Sequence, residues 1–268
     1  MTTRHPEDSS VEIIPLPAFD DNYIWLVRHG RKAVVVDPGD ARVVRQGLAR
    51  LGLELEAILV THHHADHIGG IADLLATRPL PVFGPDDRRI APISRTLTEG
   101  EHVRLLDGKL DLCVMEVPGH TETHIAYRGE GVLFPGDTLF SAGCGRLLGG
   151  TAAQLHASLN RLAALPEQTR VYPTHEYTLA NLAFARAVEP TNGTRDAWQA
   201  TVESARAAGL PSLPTTIALE RAINPFLRVD EPAIVAALAT RSTDALASPL
   251  ARFTALRAWK DVFRLPSA

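Results

Sequence analysis

The sequence predicts a layered α/β domain followed by a helical domain, and three observations lead to this fold class. Up to residue 177, short β-branched and aromatic runs alternate with turn-forming clusters at the spacing of hairpins and strand–helix units. After residue 177, apolar residues recur at helical spacing between prolines. The composition, 45% hydrophobic and 22% charged, is that of a globular protein and excludes a disordered chain. We therefore expect domains over 1–177 and 178–268.

The first domain is predicted to be a mixture of strands and helices. A helix over 41–51 follows from the spacing of Val43, Val44, Leu48 and Leu51 after a turn at 37–39. Apolar residues after Ile68 repeat in the same way and predict a helix behind the strand over 57–60. The remaining elements are strands over 11–16, 23–28, 33–36, 81–83, 102–105, 110–117, 124–127, 132–134 and 170–172, and a helix over 151–165.

The second domain is predicted to be helical throughout. Ser248-Pro249 is a helix start, because serine caps the first free N–H groups and proline suits the first helical position. No strand is expected after Tyr177. The predicted helices lie over 179–188, 195–208, 217–222, 233–239 and 250–263.

Charge and composition exclude several function classes. The formal net charge is −4, which divides into −6 for residues 1–177 and +2 for 178–268, so a basic nucleic-acid-binding track is not expected. No apolar run has the roughly 18 residues that a membrane span needs, and residues 1–10 lack the apolar region of a signal peptide. The only cysteines, Cys113 and Cys144, indicate a reducing compartment. We expect a cytoplasmic monomer that binds neither nucleic acid nor membrane.

Four of the eleven histidines fall between residues 62 and 67, where a buried strand gives way to a helix. Side chains two apart on a strand point the same way, so His62 and His64 can reach one point while His63 faces elsewhere. Asp66 and His67 are adjacent in the helix, and their side chains diverge by about 100°. This geometry suits two neighbouring metal ions better than one. Imidazole and carboxylate ligands suit zinc, iron or manganese.

Three later positions repeat the pattern of a strand, a turn and one ligand-type side chain. They are His120 after Pro118-Gly119, Asp137 after Pro135-Gly136, and His175 after Pro173-Thr174. Taken alone, each residue reads as part of a turn. Together they predict further metal ligands, and the two oxygens of Asp137 could bridge two ions.

The segment His62-His63-His64-Ala65-Asp66-His67 resembles the HxHxDH signature of the metallo-β-lactamase superfamily. Within that superfamily the sequence is most similar to the glyoxalase II, or hydroxyacylglutathione hydrolase, family. The likeness extends over nearly the whole chain and includes motifs narrower than the metal signature. These motifs are Asp21-Asn22-Tyr23, Gly136-Asp137-Thr138-Leu139-Phe140, Gly143-Cys144-Gly145-Arg146, His175-Glu176-Tyr177-Thr178, Asn224-Pro225-Phe226-Leu227-Arg228, and Arg257 with Lys260.

The resemblance implies a four-layer αββα metallo-β-lactamase-like catalytic domain and a small helical, substrate-binding domain. Where this family has an aromatic and an acidic residue after the Gly-Cys-Gly stretch, this chain has Leu148-Gly149, which removes one glutathione contact. The implied ligands are His62, His64, His120 and Asp137 for one ion, and Asp66, His67, His175 and Asp137 for the other. The implied glutathione-binding residues are Arg146, Tyr177, Arg257 and Lys260.

The reaction implied is hydrolysis of S-D-lactoylglutathione, or another S-(2-hydroxyacyl)glutathione, to D-lactate and glutathione in methylglyoxal detoxification. We expect two divalent ions per chain, zinc or else iron or manganese. Hydroxide bridging the ions would attack the thioester carbonyl, and Asp66 would orient that hydroxide.

Other members of the superfamily offer competing interpretations. A persulfide dioxygenase would bind a single iron, leaving Asp66 and His67 without a second ion. A nuclease would need a basic track. A structural zinc module would close with four ligands, fewer than the candidates here.

Overall fold

The computed structural model describes residues 11–241 and 246–264. These residues form two compact units. The first comprises residues 11–115 and 125–130, and the second comprises 116–124, 131–241 and 246–264. The boundary expected at residues 177 and 178 stays a prediction.

The first unit contains most of the described strands. Its helices are α1 (Ala41–Leu51), α2 (Ala65–Ile68) and α3 (Ile71–Thr77). Its strands are β1 (Glu12–Ala18), β2 (Asn22–His29), β3 (Lys32–Val36), β4 (Glu54–Leu59), β5 (Val82–Gly84), β6 (Arg95–Thr96), β7 (His102–Leu105), β8 (Leu110–Glu116, whose last residue belongs to the second unit) and β9 (Ile125–Gly129).

Strands β1 to β6 form one sheet in chain order. The first three strands pair antiparallel, and β3, β4, β5 and β6 pair parallel. Parallel strands are covered on both faces, which accounts for the continuous apolar runs at Ala33–Val36 and Ala57–Leu59. Every residue of these two runs is buried. The β7–β8 hairpin is antiparallel.

Helix α1 has the bounds predicted from its apolar spacing, and both of its ends are capped. The Asp40 carboxylate accepts hydrogen bonds from the N–H groups of Arg42 and Val43. At the other end, Gly52 adopts the left-handed conformation at φ 65° that terminates many helices. Val44 and Gly47 face the interior of the unit, where Val44 joins the apolar core under β2 and β3.

The second unit combines short strands with the C-terminal helices. Its strands are β10 (Val132–Phe134), β11 (Leu139–Phe140), β12 (Gly143–Cys144), β13 (Arg170–Val171) and β14 (Thr215–Thr216). Its helices are α4 (Ala152–Ala163), α5 (Thr178–Val188), α6 (Gly193–Ala207), α7 (Ile217–Ile223), a 3-10 helix (Pro225–Leu227), α8 (Pro232–Ala239) and α9 (Pro249–Val262).

Strand β13 lies parallel to β10 and antiparallel to β14, and β11 and β12 form a two-residue hairpin ladder. The expectation that no strand follows Tyr177 was therefore wrong at Thr215–Thr216. Two residues are too few to show a periodicity, and this strand exists because β13 offers it a partner edge.

Aromatic rings fill the core of the helical part. Phe184 of α5 lies 5.5 Å from Trp259 of α9 and 6.0 Å from Phe226 of the 3-10 helix, measured between ring centroids. The Phe226 ring is 5.8 Å from Phe253 of α9. Such ring pairs add about 0.5–1.5 kcal/mol each beyond the area they bury, so α9 is anchored by two of its own rings. Within the described ranges, no helix has the length and apolarity needed to cross a membrane.

Candidate metal centre

In the first unit, the chain between β4 and α2 brings four candidate ligands together. His62 Nε2 lies 3.0 Å from His64 Nδ1, and the rings of His62 and His67 have centroids 4.0 Å apart. His67 Nε2 is 3.5 Å from Asp66 Oδ2. His62 and His67 are buried, whereas the Asp66 side chain is 38% exposed. Buried imidazoles facing one another and a carboxylate are a donor set typical of metal sites.

Asp37, directly after β3, lies beside the Nδ1 atom of one of these imidazoles and is linked to that of another through Thr61. Its Oδ2 is 3.0 Å from His67 Nδ1 and accepts the Thr61 hydroxyl at 2.8 Å, while its Oδ1 accepts the Thr61 N–H at 2.8 Å. Because Thr61 donates its hydroxyl proton to Asp37, Thr61 Oγ1 accepts from His62 Nδ1 at 3.1 Å. The Thr61 hydroxyl therefore assigns the proton of His62 to Nδ1, and a proton on His67 Nδ1 would face the Asp37 carboxylate, so that both imidazoles would direct Nε2 towards a metal ion.

In the second unit, Asp137 lies between two histidines. Its Oδ2 is 3.5 Å from His120 Nε2 and 3.4 Å from His175 Nε2. The main-chain carbonyl of Arg146 accepts from His120 Nδ1 at 2.8 Å, so His120 also presents an unprotonated Nε2 to the site. His124 Nε2 accepts the Asp137 N–H at 3.2 Å and thereby fixes the main chain that carries this carboxylate.

The candidate ligand atoms fall into two groups, each with all of its atoms within 4.8 Å of one another. Two ligands about 2.0–2.1 Å from one tetrahedral ion are roughly 3.3 Å apart, close to the separations around Asp137. The residues thus fit metal binding by donor type, tautomer and distance, and the cluster supports two metal ions. The first group is His62, His64, His120 and Asp137, and the second is Asp66, His67 and His175.

His63, in the middle of the motif, belongs to neither group, in keeping with its opposite direction on the strand end. Its Nδ1 lies 3.3 Å from Asp87 Oδ2, and the same carboxylate binds Arg89 at 2.7 Å. Burial and the nearby Arg89 guanidinium lower the pKa of His63 below its usual value. Asp87 therefore gives this histidine a structural partner of its own.

Three of the four predicted glutathione-binding residues gather around Asp261. Arg257 Nη2 donates to Asp261 Oδ1 at 2.9 Å, and Arg146 Nε lies 3.9 Å from the same oxygen. Arg146 is exposed. Lys260, which lies in α9 together with Arg257, is half-buried. Burial, followed by the charge of Arg257, lowers the pKa of Lys260 to about 8.

Arg257 itself is buried, which the sequence did not indicate. Its Nη1 donates to the main-chain carbonyls of Cys144 at 3.1 Å and Gly145 at 3.4 Å, and its guanidinium lies 5.1 Å from the Phe226 ring centroid. The side chain therefore holds β12 to α9. Burial raises the pKa of the Cys144 thiol, which favours its protonated and less reactive form.

Tyr177, the fourth predicted residue, stacks on a candidate ligand. Its ring is parallel to that of His175 within 5°, with centroids 4.6 Å apart, and Phe140 contacts both rings edge-on. Tyr177 is 37% exposed and Leu148 is 54% exposed. An apolar side chain thus stands in solvent at position 148, where the resemblance implied an aromatic one.

Sequence reasoning missed Asp37 and left the role of His124 open. From the sequence, Asp37 reads only as part of a turn, although it follows a buried strand in the same way as the candidate ligands do. This position after a buried strand is the signal that could have identified it as a site residue. His124 directly precedes β9 and is the first residue of the strand predicted over 124–127. Nothing in the sequence there distinguishes a hydrogen-bonding histidine from a surface one.

Comparisons with known proteins agree with this geometry. The family described as "Metallo-beta-lactamase superfamily" matches residues 18–175, and that described as "Hydroxyacylglutathione hydrolase C-terminus" matches residues 176–263. The hydroxyacylglutathione hydrolase of Cupriavidus taiwanensis is 53% identical over 266 residues, covering 95% of this chain and all of that protein. The enzyme of the same name from Aeromonas hydrophila is 50% identical over 253 residues, covering 94% and 99%.

Solved structures are similar at lower identity. The B3 metallo-β-lactamase BLEG-1 has a TM-score of 0.60 at 28% identity, covering 81% of this chain and 99% of that one. ETHE1 from Myxococcus xanthus has a TM-score of 0.63 at 26% identity, covering 91% and 99%. A protein crystallised in a di-iron-bound form has a TM-score of 0.56 at 29% identity, covering 81% and 100%.

These matches confirm the predicted fold class, an αββα metallo-β-lactamase-like domain followed by a helical C-terminal part. They also confirm the predicted enzyme class, since the relatives matched over nearly their full length carry the name of a thioester hydrolase. The chain belongs to the hydroxyacylglutathione hydrolase family of the metallo-β-lactamase superfamily.

Proposed function

We propose that this chain hydrolyses the thioester bond of an S-(2-hydroxyacyl)glutathione, S-D-lactoylglutathione in particular, to release D-lactate and glutathione. Water adds to the carbonyl carbon, the carbon–sulfur bond breaks, and the sulfur leaves as a thiolate. The observation that carries the proposal is the pair of imidazole–carboxylate groups in a chain whose near full-length relatives are hydroxyacylglutathione hydrolases.

We assign His62, His64 and His120 to one ion and Asp66, His67 and His175 to the other, with Asp137 shared. Zinc is the ion we expect, and iron and manganese suit the same donors. When bound, two such ions lower the pKa of a water towards neutrality and polarise the substrate carbonyl.

Asp66 is the residue we assign to orienting the attacking oxygen. The Asn22 side-chain amide donates to Asp66 Oδ2 at 3.0 Å and so holds this carboxylate in place. Partial exposure of this carboxylate lets a substrate-side water reach it. No strong general acid is needed, because a thiolate is a good leaving group.

The glutathione part carries carboxylates, so cations near the site suit it electrostatically. Arg146 and Lys260 are the exposed and half-exposed cations we assign to those carboxylates, and Tyr177 offers a hydroxyl and a ring edge. Arg257 contributes its positive charge from behind β12 while holding the carbonyls of Cys144 and Gly145.

The alternative, a persulfide dioxygenase with a single iron, has less support. ETHE1 from Myxococcus xanthus is 26% identical, whereas the hydroxyacylglutathione hydrolases named above are at least 50% identical over nearly the whole chain. A second metal group that includes Asp66 and His67 also favours the hydrolase.

We also propose that this hydrolase is located in the cytoplasm and is a monomer.

The test is hydrolysis of S-D-lactoylglutathione by purified protein whose metal content has been measured. We expect thiol release by the two-metal protein, loss of turnover in Asp137→Ala, and unchanged turnover in Asp107→Ala, an exposed carboxylate that pairs with Lys32. A two-metal protein that leaves the thioester intact would refute the proposal. Oxygen consumption with glutathione persulfide would instead support the dioxygenase.

A further inference from the structure

Glu220 of α7 is a fully buried carboxylate that lies outside the metal centre and has no role in the mechanism above. Its Oε2 accepts the main-chain N–H of Ala142 at 2.8 Å and the side-chain amide of Asn224 at 3.0 Å. Its Oε1 accepts the Thr215 hydroxyl at 2.7 Å. The Ser141 side chain of the β11–β12 turn is a fourth donor to this carboxylate. A buried carboxylate is costly to keep, so one satisfied by four donors is expected to have a structural or functional task.

The donors bound by Glu220 belong to one turn and to its support. Ala142 lies in the turn that joins β11 to β12 and has a φ of 55°, in the left-handed region that a non-glycine residue adopts only when held there. Asn224 donates to the carbonyls of Phe140 at 3.2 Å and Gly143 at 2.9 Å, at the two ends of the same turn. Glu220 and Asn224 thus bind main-chain groups of Phe140, Ala142 and Gly143, while Asn181 binds the carbonyl of Ser141 at 3.0 Å.

The β11–β12 hairpin is linked to all three candidate ligands of the second unit, to two of them through the adjoining chain and to the third through a ring contact. Asp137 lies two residues before β11, and His120 Nδ1 is bound by the carbonyl of Arg146, two residues after β12. The Phe140 ring contacts the His175 ring at 5.8 Å. A shift of the turn would therefore move the carboxylate of Asp137 relative to both imidazoles.

Resting on the proposed two-metal function, we propose that Glu220, together with Asn224, is a positioning residue that clamps the β11–β12 turn and so fixes His120, Asp137 and His175 for metal binding. Desolvation raises the pKa of Glu220 to about 7, which is consistent with a group retained for its hydrogen bonds and not for its charge. A neutral acceptor of the same shape should then serve as well.

The test compares three variants loaded with Co²⁺. Glu220→Leu removes the acceptor. Glu220→Gln keeps an oxygen that can accept from Ala142 and offers an amide to Thr215. Glu189→Leu is the control, because it removes a buried acceptor elsewhere. Glu189 accepts from Arg228 at 2.7 Å and from Asn192 at 2.9 Å and bonds to no residue of the hairpin. The measurements are the visible spectrum, which reports Co²⁺ geometry, and the dissociation constants from chelator competition.

We expect Glu220→Leu to weaken Co²⁺ binding about tenfold and to alter the visible spectrum. Glu220→Gln should restore both properties, and Glu189→Leu should lower stability to urea without changing either. If Glu220→Leu does not fold, Asn224→Ser takes its place, because serine can still cap Phe226 N–H while the amide that holds the turn is lost.

An unchanged spectrum and affinity in a folded Glu220→Leu or Asn224→Ser protein would overturn the proposal. Equal metal loss in Glu189→Leu would also overturn it, because the effect would then reflect general destabilisation. The failure of the proposed function can be distinguished from the failure of this proposal. A wild-type protein that binds two Co²⁺ ions but does not hydrolyse the thioester would contradict the proposed function only, and not the role of Glu220.

Discussion

At the scale of single residues, one carboxylate lies behind two of the candidate ligand imidazoles, those of His62 and His67. Asp37 Oδ2 lies 3.0 Å from His67 Nδ1 and acts on His62 Nδ1 through the Thr61 hydroxyl, which donates to it. One side chain thus sets the tautomer of an imidazole in each of the two metal groups. Removing its charge should therefore affect both groups, although Asp37 itself is in neither.

We predict that Asp37→Asn weakens metal binding about 10–100-fold. The amide can still accept the Thr61 N–H and tolerates the φ of 54° at this position, but its NH₂ cannot accept from His67. The His67 proton then moves to Nε2 and blocks the metal. The measurement is metal content after dialysis, and Asp40→Asn, which keeps the cap of α1, is the control. Two retained ions in Asp37→Asn would contradict the role of Asp37.

Lys260 is predicted to make substrate binding depend on pH. Its pKa is lowered to about 8, so its positive charge is present below pH 8 and is lost above it. If Lys260 binds a glutathione carboxylate, KM should rise about threefold between pH 7 and 9, the effect of losing one partly exposed ion pair. Lys260→Arg should flatten that rise, whereas Lys109→Arg on the surface should not. A flat wild-type profile would exclude Lys260 from the substrate site.

At the scale of elements, the Pro118-Gly119 turn sets how closely His120 approaches α4. Gly119 has a φ of 145°, and a Cβ there would lie 2.4 Å from Leu155 Cα and 2.7 Å from Leu155 N. Neither is a flexible atom, so the turn itself would have to move. Because His120 is the next residue, the displacement would reach the metal ligands.

We predict that Gly119→Ala both destabilises the protein and lowers its metal affinity. Gly108→Ala is the matched control, since it also has a positive φ, of 81°, but has open space around it. Both variants should lose about 1–2 kcal/mol from the backbone conformation alone, and only Gly119→Ala should lose more. Urea unfolding and metal analysis of the two proteins separate these effects. Equal losses in both would mean that α4 does not restrict the turn.

Helices and strands with enough residues to show a period were predictable, and the shortest elements were not. The bounds of α1, β7 and β10 agree with the prediction because apolar spacing or β-branched runs extend over each of them. Five of the described strands, β6, β11, β12, β13 and β14, have two residues each. The sequence predicts only β13 among them, over 170–172, and tertiary pairing alone defines the other four. The hairpin that supports His120 and Asp137 is among them, so its clamp by Glu220 could not be foreseen from the sequence.

The candidate site divides in the same way. Ligand-type residues at strand ends could be identified because strand, turn and side chain recur in sequence. The partners that orient them could not, since Asp37 and the Arg146 carbonyl are chosen by folding and not by spacing. Arg257 and Lys260 share a helix, yet only the structure distinguishes the buried guanidinium from the half-exposed ammonium.

At the scale of the whole molecule, the proposed metal ions would be bound by residues that are far apart in the sequence, from His62 to His175. An ion that binds only the folded chain stabilises it by about 2.7 kcal/mol per site when its free concentration is a hundred times its dissociation constant. Two ions together should therefore account for about 5 kcal/mol, a large part of the stability of a typical domain.

We predict that removing the metals with a chelator lowers the unfolding temperature by about 10 °C or more, because 1 kcal/mol corresponds to roughly 2–4 °C in a chain of this size. Restoring zinc should reverse the change. In Asp137→Ala the chelator should lower the unfolding temperature much less, since the shared ligand is gone. The control is His102→Ala, which alters an exposed histidine paired with Asp111 and should behave as wild type. If the chelator left the unfolding temperature of the metal-loaded wild type unchanged, ions bound by the two groups of ligands would not contribute to the stability of the fold.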